Sequence, residues 1–410
     1  MGILKGNAVV GQSGGPTAAI NATLSGVIRG ALWAKGEGYV DKLYGMRNGI
    51  EGFLDERIVD LTEIFSSEKK LKTLEATPAA ALGSCRKKMK SPDADPDTYE
   101  RLLEIFKKYD IRYFFYIGGN DSMDTVSKLS AYAKNHDYEI RVVGVPKTVD
   151  NDLMATDHTP GFGSAAKYVA TTVKELLRDV SVYTLKAVTI VEIMGRDAGW
   201  LTAASALPAL SGGMAPDLIY LPERVFDKEA FLASVREALD DHPAVLVAVS
   251  EGIRYADGTY VGASGTARDA FGHVQLSGAG KVLEWLVKDE IGCKVRSIEL
   301  NLPQRAAAHI LSKTDIDESV SVGMGAVKLA TEGKTGIMMT IVREAGDEYV
   351  SSVGYAEISA IANAVRQVPD EYINEASNGI TDAGLKYLAP LILGEVDIEF
   401  EAGLPKHIII

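Results

Sequence analysis

The segment Lys147-Thr148-Val149-Asp150-Asn151-Asp152 puts an ammonium, a hydroxyl and two carboxylates within six residues. With Pro146 before it, it follows Val142 to Val145, a short apolar run of the kind that forms a buried strand. In extended chain, residues two apart face the same way, so Thr148, Asp150 and Asp152 are expected on one face. Such a set suits removal of a proton from an alcohol and metal-assisted phosphoryl chemistry. A solvated acidic turn is the alternative, but three polar groups in register are more than solubility requires.

Other strand ends carry comparable chemistry. Gly11-Gln12-Ser13-Gly14-Gly15-Pro16-Thr17 follows Ala8 to Val10 and leads into a stretch that reads as helix from Ala18. A glycine-rich turn before a helix lets backbone N–H groups approach a phosphate. Its first five residues also fit a nucleophile elbow, which would need a histidine partner. None of His136, His158, His242, His273, His309 and His407 stands in a recognisable partner setting. Tyr113 to Ile117 ends in Gly118-Gly119-Asn120-Asp121-Ser122, where Ser122 is placed to cap the next helix. Val188 to Ile193 ends in Met194-Gly195-Arg196-Asp197, and Val245 to Val249 ends in Ser250-Glu251-Gly252. Arg86, Arg296 and Arg305 add guanidinium groups able to grip phosphate. Lys87, Lys88 and Lys90 read as a solvated face. Gly161-Phe162-Gly163-Ser164-Ala165-Ala166 fits a dinucleotide fingerprint but follows Thr159-Pro160, not a strand.

The elements that must position these loops are short apolar runs alternating with amphipathic stretches. Met123, Val126, Leu129 and Tyr132 recur every third residue, as on a helix packed against a sheet. Ala166 to Leu177 and Lys228 to Leu239 are further helices. The expected fold is α/β, with two doubly wound, mostly parallel sheets. In such sheets ligands sit beyond the carboxyl ends of the strands, where these loops lie. With 410 residues, two or three domains are expected. The crossing between lobes is placed at Asp157 to Ser164.

The net charge of −13 argues against nucleic acid or an anionic membrane as the main partner. Two cysteines, Cys85 and Cys293, exclude a disulfide scaffold and a multi-cysteine metal site and read as thiols of a reducing compartment. The purest apolar run, Ala244 to Val249, is far short of the ~18 residues that span a bilayer. No signal-like apolar segment opens the chain. The expectation is a soluble cytoplasmic protein.

In this order, the loops from Gly11 to Arg305 resemble the 6-phosphofructokinase family over about three quarters of the chain. Gly14 to Asn21, the Gly-Gly-x-x-Ser loop, the Thr-x-Asp-Asn-Asp run and Met-Gly-Arg carry the resemblance. Asp121 and Lys147 stand where the ATP-using branch has glycines, and this pair resembles the pyrophosphate-dependent branch. A carboxylate in the path of a nucleotide adds bulk and repulsion, a like-charge cost on the order of several kcal/mol. ATP as donor remains the rival reading. A regulatory subunit without activity would lack Asp150, Asp152 or Arg196, and all three are present.

The resemblance implies a two-lobed fold with the active site between the lobes. It implies reversible, Mg²⁺-assisted transfer from pyrophosphate to the C1 hydroxyl of fructose 6-phosphate. It makes Asp150 the base, with Lys147, Thr148, Asp152 and Arg86 around the transferred phosphoryl group. Gly14, Gly15, Gly119, Asn120, Asp121, Ser122 and Lys147 form the donor site. The sugar phosphate falls to Thr148, Asp150, Met194, Gly195, Arg196, Glu251, Arg296 and Arg305, and Lys186 is a weaker match beside Ala187. One clamp arginine comes from a neighbouring subunit in the family, which implies a homodimer or homotetramer with shared sites. Asn120 replaces a common metal-associated Asp, leaving Asp152 as the main ligand and Asn120 a weak one. Leu302 stands where the ATP branch has a histidine. Residues 1–160, completed by a segment near 304–350, are expected to form the donor lobe, and 161–303 the sugar lobe. Residues 351–410 are left unassigned.

Overall fold

Apolar residues occupy both parities of the central strands, so both faces of each sheet must be covered. The computed structural model describes residues 4–268, 274–276, 278–346, 348–358, 361 and 364–410. In chain order the strands are β1 (Gly6–Gln12), β2 (Val40–Met46), β3 (Ile58–Asp60), β4 (Ile111–Gly118), β5 (Arg141–Pro146), β6 (Ala187–Ile193) and β7 (Leu218–Tyr220). They continue with β8 (Ala244–Ser250), the antiparallel pair β9 (Ala263–Arg268) and β10 (Val274–Leu276), β11 (Lys294–Glu299), β12 (Ile337–Arg343) and β13 (Ser351–Glu357).

The larger sheet has the order β13-β12-β5-β4-β1-β2-β3, parallel except at its two edges. Tyr113, Phe115 and Ile117 of β4 enter one core with Ala8, Val10, Val143 and Val145, while Phe114 and Tyr116 enter the opposite core with Val9 and Val142. The smaller sheet, β11-β6-β8-β7, is parallel throughout. Its strands divide in the same way: Val191, Ile193, Leu246 and Ala248 face one core, and Val188, Ile190, Val245 and Val247 the other. The sheets are therefore doubly wound, as the apolar runs required.

The chain enters the second sheet through the helix Phe162–Val180 and returns through the helix Lys313–Thr331 to add β12 and β13 to the first. β13 thus draws part of the segment left unassigned from 351 into the larger sheet. The returning helix lies against the helix Ile20–Gly36 with almost no space between backbones. A Cβ on Gly26 would sit 2.1 Å from the Val320 carbonyl oxygen, and one on Gly323 2.3 Å from that of Thr23.

The Gly161-to-Ala166 fingerprint is filled by protein. Gly161 and Ser164 donate their N–H groups to the two carboxylate oxygens of buried Asp315, at 2.8 and 2.9 Å. The helix N-terminus that would meet a dinucleotide phosphate holds an internal anion instead.

Candidate active site

The carboxyl ends of β1, β4, β5, β6 and β8 open on one cavity of about 800 Å³. These five ends are not consecutive in the chain: β2 and β3 lie between β1 and β4, and β7 between β6 and β8. Gly14, Gly15, Arg86, Gly119, Asn120, Asp121, Ser122, Lys147, Thr148, Asp150, Asp152, Met194, Arg196, Glu251 and Arg305 all line the cavity.

The first loop turns sharply at Gly14, whose φ of +79° is the left-handed region that suits glycine. The following helix starts at Ile20, two residues later than the sequence suggested, so charge near the glycines comes from side chains. Lys147, almost fully buried, donates from Nζ to the Gly15 carbonyl oxygen at 2.7 Å. A Cβ on Gly15 would lie 3.1 Å from Arg305 Nη1 and 4.0 Å from Arg86 Nη2. Three cations therefore converge on a glycine pair without side chains, a cradle sized for a compact anion. Ser13 also lines the cavity, but among the described residues no histidine does, which removes the partner a nucleophile elbow needs.

The segment after β5 is not extended, contrary to the expectation from alternation. Asp150 donates its N–H to Thr148 Oγ1 at 3.1 Å, and Asn151 has φ +53°. The turn buries the Asn151 side chain, where Oδ1 accepts the Thr159 N–H at 3.0 Å, and leaves Thr148, Asp150 and Asp152 on the cavity. Burial raises the Asp150 carboxyl above the ordinary carboxylate range, against the pull of Lys147, Arg196 and Arg305. Burial and the neighbouring Asp150 charge raise Asp152 as well. Desolvation brings Lys147 down to about 8, with Asp150 opposing the fall.

Across the cavity, Glu251 accepts the Gly195 N–H at 3.4 Å, so Gly195 contributes backbone and not lining surface. Burial, reinforced by Asp150, carries Glu251 up to about 7. Buried Gln304 receives the Met194 N–H at 3.1 Å and so ties the Met194-to-Asp197 turn to the segment holding Arg305.

Several side chains stand elsewhere than expected. Ser122 does not cap its helix: Asn120–Asn135 begins two residues earlier, with Gly119 as its cap. Lys87 and Lys88 are not merely a solvated face. Both line the cavity, and Lys88 pairs with Asp121 at 3.1 Å. Arg296 is exposed in the middle of β11, outside the residues that line the cavity, and Lys186 pairs with Asp240. The sequence reading also missed Asp197 and Val365 as lining residues. Asp197 was legible, since it directly follows Arg196. Val365 carries no motif.

Asn120 Oδ1 is buried with no hydrogen-bond partner among the described residues, while Nδ2 lies 3.4 Å from Asp152 Oδ2. An oxygen without a donor, next to a carboxylate, suits a hard cation that keeps most of its ligands as water or substrate oxygen. The described residues contain no group of three or more His, Cys, Asp or Glu side chains that could hold a metal unaided. They also contain no helix long and apolar enough to cross a membrane.

Comparison with known proteins gives the same picture. The family model described as phosphofructokinase matches residues 7–329. The chain is 43% identical over 402 residues to the pyrophosphate–fructose 6-phosphate 1-phosphotransferase of Halomonas elongata, covering 98% of this chain and 95% of that protein. Two solved structures of pyrophosphate-dependent phosphofructokinases are similar at 40% identity. The one from Nitrosospira multiformis has a TM-score of 0.89 and coverage of 98% and 96%, and the one from Marinobacter aquaeolei has 0.87, 98% and 95%.

Proposed function

The chain belongs to the phosphofructokinase family, and from that premise we infer that it is a pyrophosphate-dependent phosphofructokinase. It transfers a phosphoryl group reversibly from pyrophosphate to the C1 hydroxyl of fructose 6-phosphate. The C1 oxygen attacks the terminal phosphorus, the bridging P–O bond breaks, and phosphate leaves. The hydroxyl proton goes to Asp150, whose raised pKa makes it a better base than an ordinary surface carboxylate. Lys147, Arg86 and Arg305 face the anion at Gly14 and Gly15, so most of the catalysis is positioning and charge stabilisation. That convergence of three cations beside Asp150 is the observation that carries the reading.

Asp121 opposes a nucleotide in the donor half. Lys88 offsets part of its charge, so its bulk shares the exclusion with repulsion. Mg²⁺ is the metal we assign, held by Asp152 and Asn120 and by pyrophosphate oxygens. When bound it neutralises charge on the phosphoryl oxygens. Arg196, Glu251, Met194 and Arg305 receive the sugar phosphate. Arg296, exposed on β11, serves a neighbouring subunit's site in a homodimer or homotetramer. Residues 1–160 with 304–350, extended by β13, form the donor lobe and 161–303 the sugar lobe. Both cysteines are free thiols, in keeping with a cytoplasmic enzyme.

The test is formation of fructose 1,6-bisphosphate from fructose 6-phosphate and Mg²⁺ with pyrophosphate or ATP. A like-charge cost of several kcal/mol corresponds to roughly 100-fold or more in kcat/KM favouring pyrophosphate. Comparable efficiency with both donors would overturn the donor assignment.

A further inference from the structure

Residues 330–410 lie beyond the part of the chain that the phosphofructokinase family model matches, yet one of them lines the active-site cavity and the three that follow it hold the turns around it. Val365 lines the cavity. Arg366 donates its backbone N–H to the carbonyl oxygen of Asp152 at 2.8 Å, and its own carbonyl accepts the Trp200 indole N–H at 3.0 Å. Gln367 Nε2 donates to the Asp197 carbonyl at 3.4 Å. The Val368 N–H reaches Glu223 Oε1 at 2.9 Å, the same oxygen that takes the Gly199 N–H at 2.9 Å. A single stretch of four residues thus fastens the turn after β5 to the turn after β6, and so joins the donor half of the cavity to the sugar half.

The Arg366 side chain reaches the same aspartates by a second route. Its guanidinium lies 4.4 Å from the Trp200 ring centre and 5.5 Å from that of Tyr387, a cation held over aromatic faces. Arg366 Nη2 donates to the Tyr387 hydroxyl at 3.2 Å, and Asn151 Nδ2 approaches that hydroxyl at 3.4 Å. The hydroxyl donates to the Asp157 carbonyl at 2.7 Å, so its hydrogen and both lone pairs are used. Asn151 is the fully buried, positive-φ residue between Asp150 and Asp152. Arg366 Nη1 is buried without a partner among the described residues, so full pairing of its own nitrogens does not account for the guanidinium.

We propose that residues 365–368 are a strap that sets the separation of the donor and sugar halves, and that Arg366 is a positioning residue for Asp150 and Asp152. The proposal rests on the reading that these two aspartates serve phosphoryl transfer. Arg366 acts through Tyr387 and Asn151 and through the backbone of Asp152, not on the reacting atoms. Displacement of a catalytic group by ~1 Å can cost roughly 100-fold in rate, so loss of this link should be visible in kcat.

Three variants test it in the full-length protein. Arg366→Met keeps an unbranched side chain against the rings, Arg366→Lys keeps the charge, and Tyr387→Phe removes only the hydroxyl. The Met and Phe variants should lower kcat by about 10- to 100-fold, with KM for fructose 6-phosphate changed much less, and raise the Mg²⁺ concentration needed for half activity. The double variant should be no worse than the poorer single one, because both break one path. Arg366→Lys should recover part of the loss. Tyr387→Phe keeps the ring packing, so it tests the link even if Arg366→Met folds poorly. Wild-type turnover tests the reading of the reaction, and the ratio of variant to wild type tests the strap. If another acceptor is preferred, the substrate assignment fails and the ratio is measured with that acceptor. Lowered thermal stability with wild-type kcat in both variants, measured well below their melting temperatures, would overturn the proposal.

Discussion

At the residue scale, the site works by making charged groups costly to bury. Asp150 and Asp152 are raised by desolvation, and Lys147 is lowered to about 8 for the same reason. In the proposed reaction Asp150 must be ionised to accept the hydroxyl proton, so the rate is expected to fall as pH drops through its raised pKa. Lys147 must be charged to hold the donor, so the rate falls again as pH rises past about 8. The pH–rate profile should therefore be bell-shaped. In Lys147→Met the alkaline limb disappears, and the acid limb moves to higher pH because the cation that held Asp150 down is gone. An acid limb that stays in place or moves down would contradict this coupling. Asp150→Asn should lose about 100- to 10,000-fold in kcat while calorimetry shows fructose 6-phosphate still bound. An unchanged rate would place the base elsewhere. Asp150, Asp152 and Lys147 were legible because a polar cluster directly after an apolar run stands out. Lys88 was misread because a run of lysines has the same composition whether it faces water or an anion.

At the element scale, what was legible is what burial writes into sequence. β4, β5, β6 and β8 are mostly runs of buried apolar residues. β2 and β13, with several exposed or half-exposed residues, carry no such run, and β3 and β7 are three residues long. The join between the turn after β5, β12 and the helix Lys313–Thr331 was not legible either, because its link to the helix runs through one buried histidine. His158 Nδ1 lies 2.8 Å from Asp157 Oδ1, and Nε2 lies 2.6 Å from Glu318 Oε2. Arg343 of β12 reaches Asp157 at 3.1 Å. Burial alone would lower the imidazolium, but hydrogen bonds to Asp157 and Glu318 outweigh it and raise His158 to about 9. A histidine raised from 6.5 stabilises the fold fully below 6.5 and loses that contribution as pH rises through about 9. At about 1.4 kcal/mol per pH unit, the loss is at most about 3 to 4 kcal/mol. Melting temperature should fall across this window in the wild type and fall less in His158→Gln. Equal slopes would show that the histidine is neutral in the folded protein.

At the scale of the whole molecule, the proposed reading assigns two arginines to the sugar-phosphate clamp, and only one of them, Arg305, lines the cavity of its own chain. Arg305 lines the cavity beside Gly15, and burial and Arg86 lower its pKa, marks of a cation held for an anion. Arg296 stands exposed on β11, the edge strand of the smaller sheet. An exposed cationic side chain on an edge strand is available to another copy of the chain, and a net charge of −13 makes it an attractive contact for one. The two substitutions should therefore differ in kind. Arg305→Ala raises KM for fructose 6-phosphate in the subunit that carries it. Arg296→Ala raises it in the neighbour. Arg296→Ala should change KM for pyrophosphate far less, since a charged phosphate contact contributes about 2 kcal/mol or more, roughly 30-fold, to the ligand it touches, whereas Arg305→Ala, which also faces the donor cradle at Gly15, should raise KM for both substrates. Mixing provides the decisive comparison. Subunits carrying Arg296→Ala retain their own Asp150, and subunits carrying Asp150→Asn retain Arg296. In a mixed oligomer, some sites then combine an intact base with an intact clamp from the neighbour. Activity at low fructose 6-phosphate should rise above that of either parent, toward a quarter to a half of wild type, a range that brackets dimeric and higher mixing (about one site in four at random). The same experiment with Arg305→Ala in place of Arg296→Ala should give no such recovery, because Arg305 and Asp150 serve the same cavity. Mixed oligomers demonstrated by native mass spectrometry without recovered activity would place Arg296 outside the site altogether, and recovery in the Arg305 mixture would exchange the roles of the two arginines.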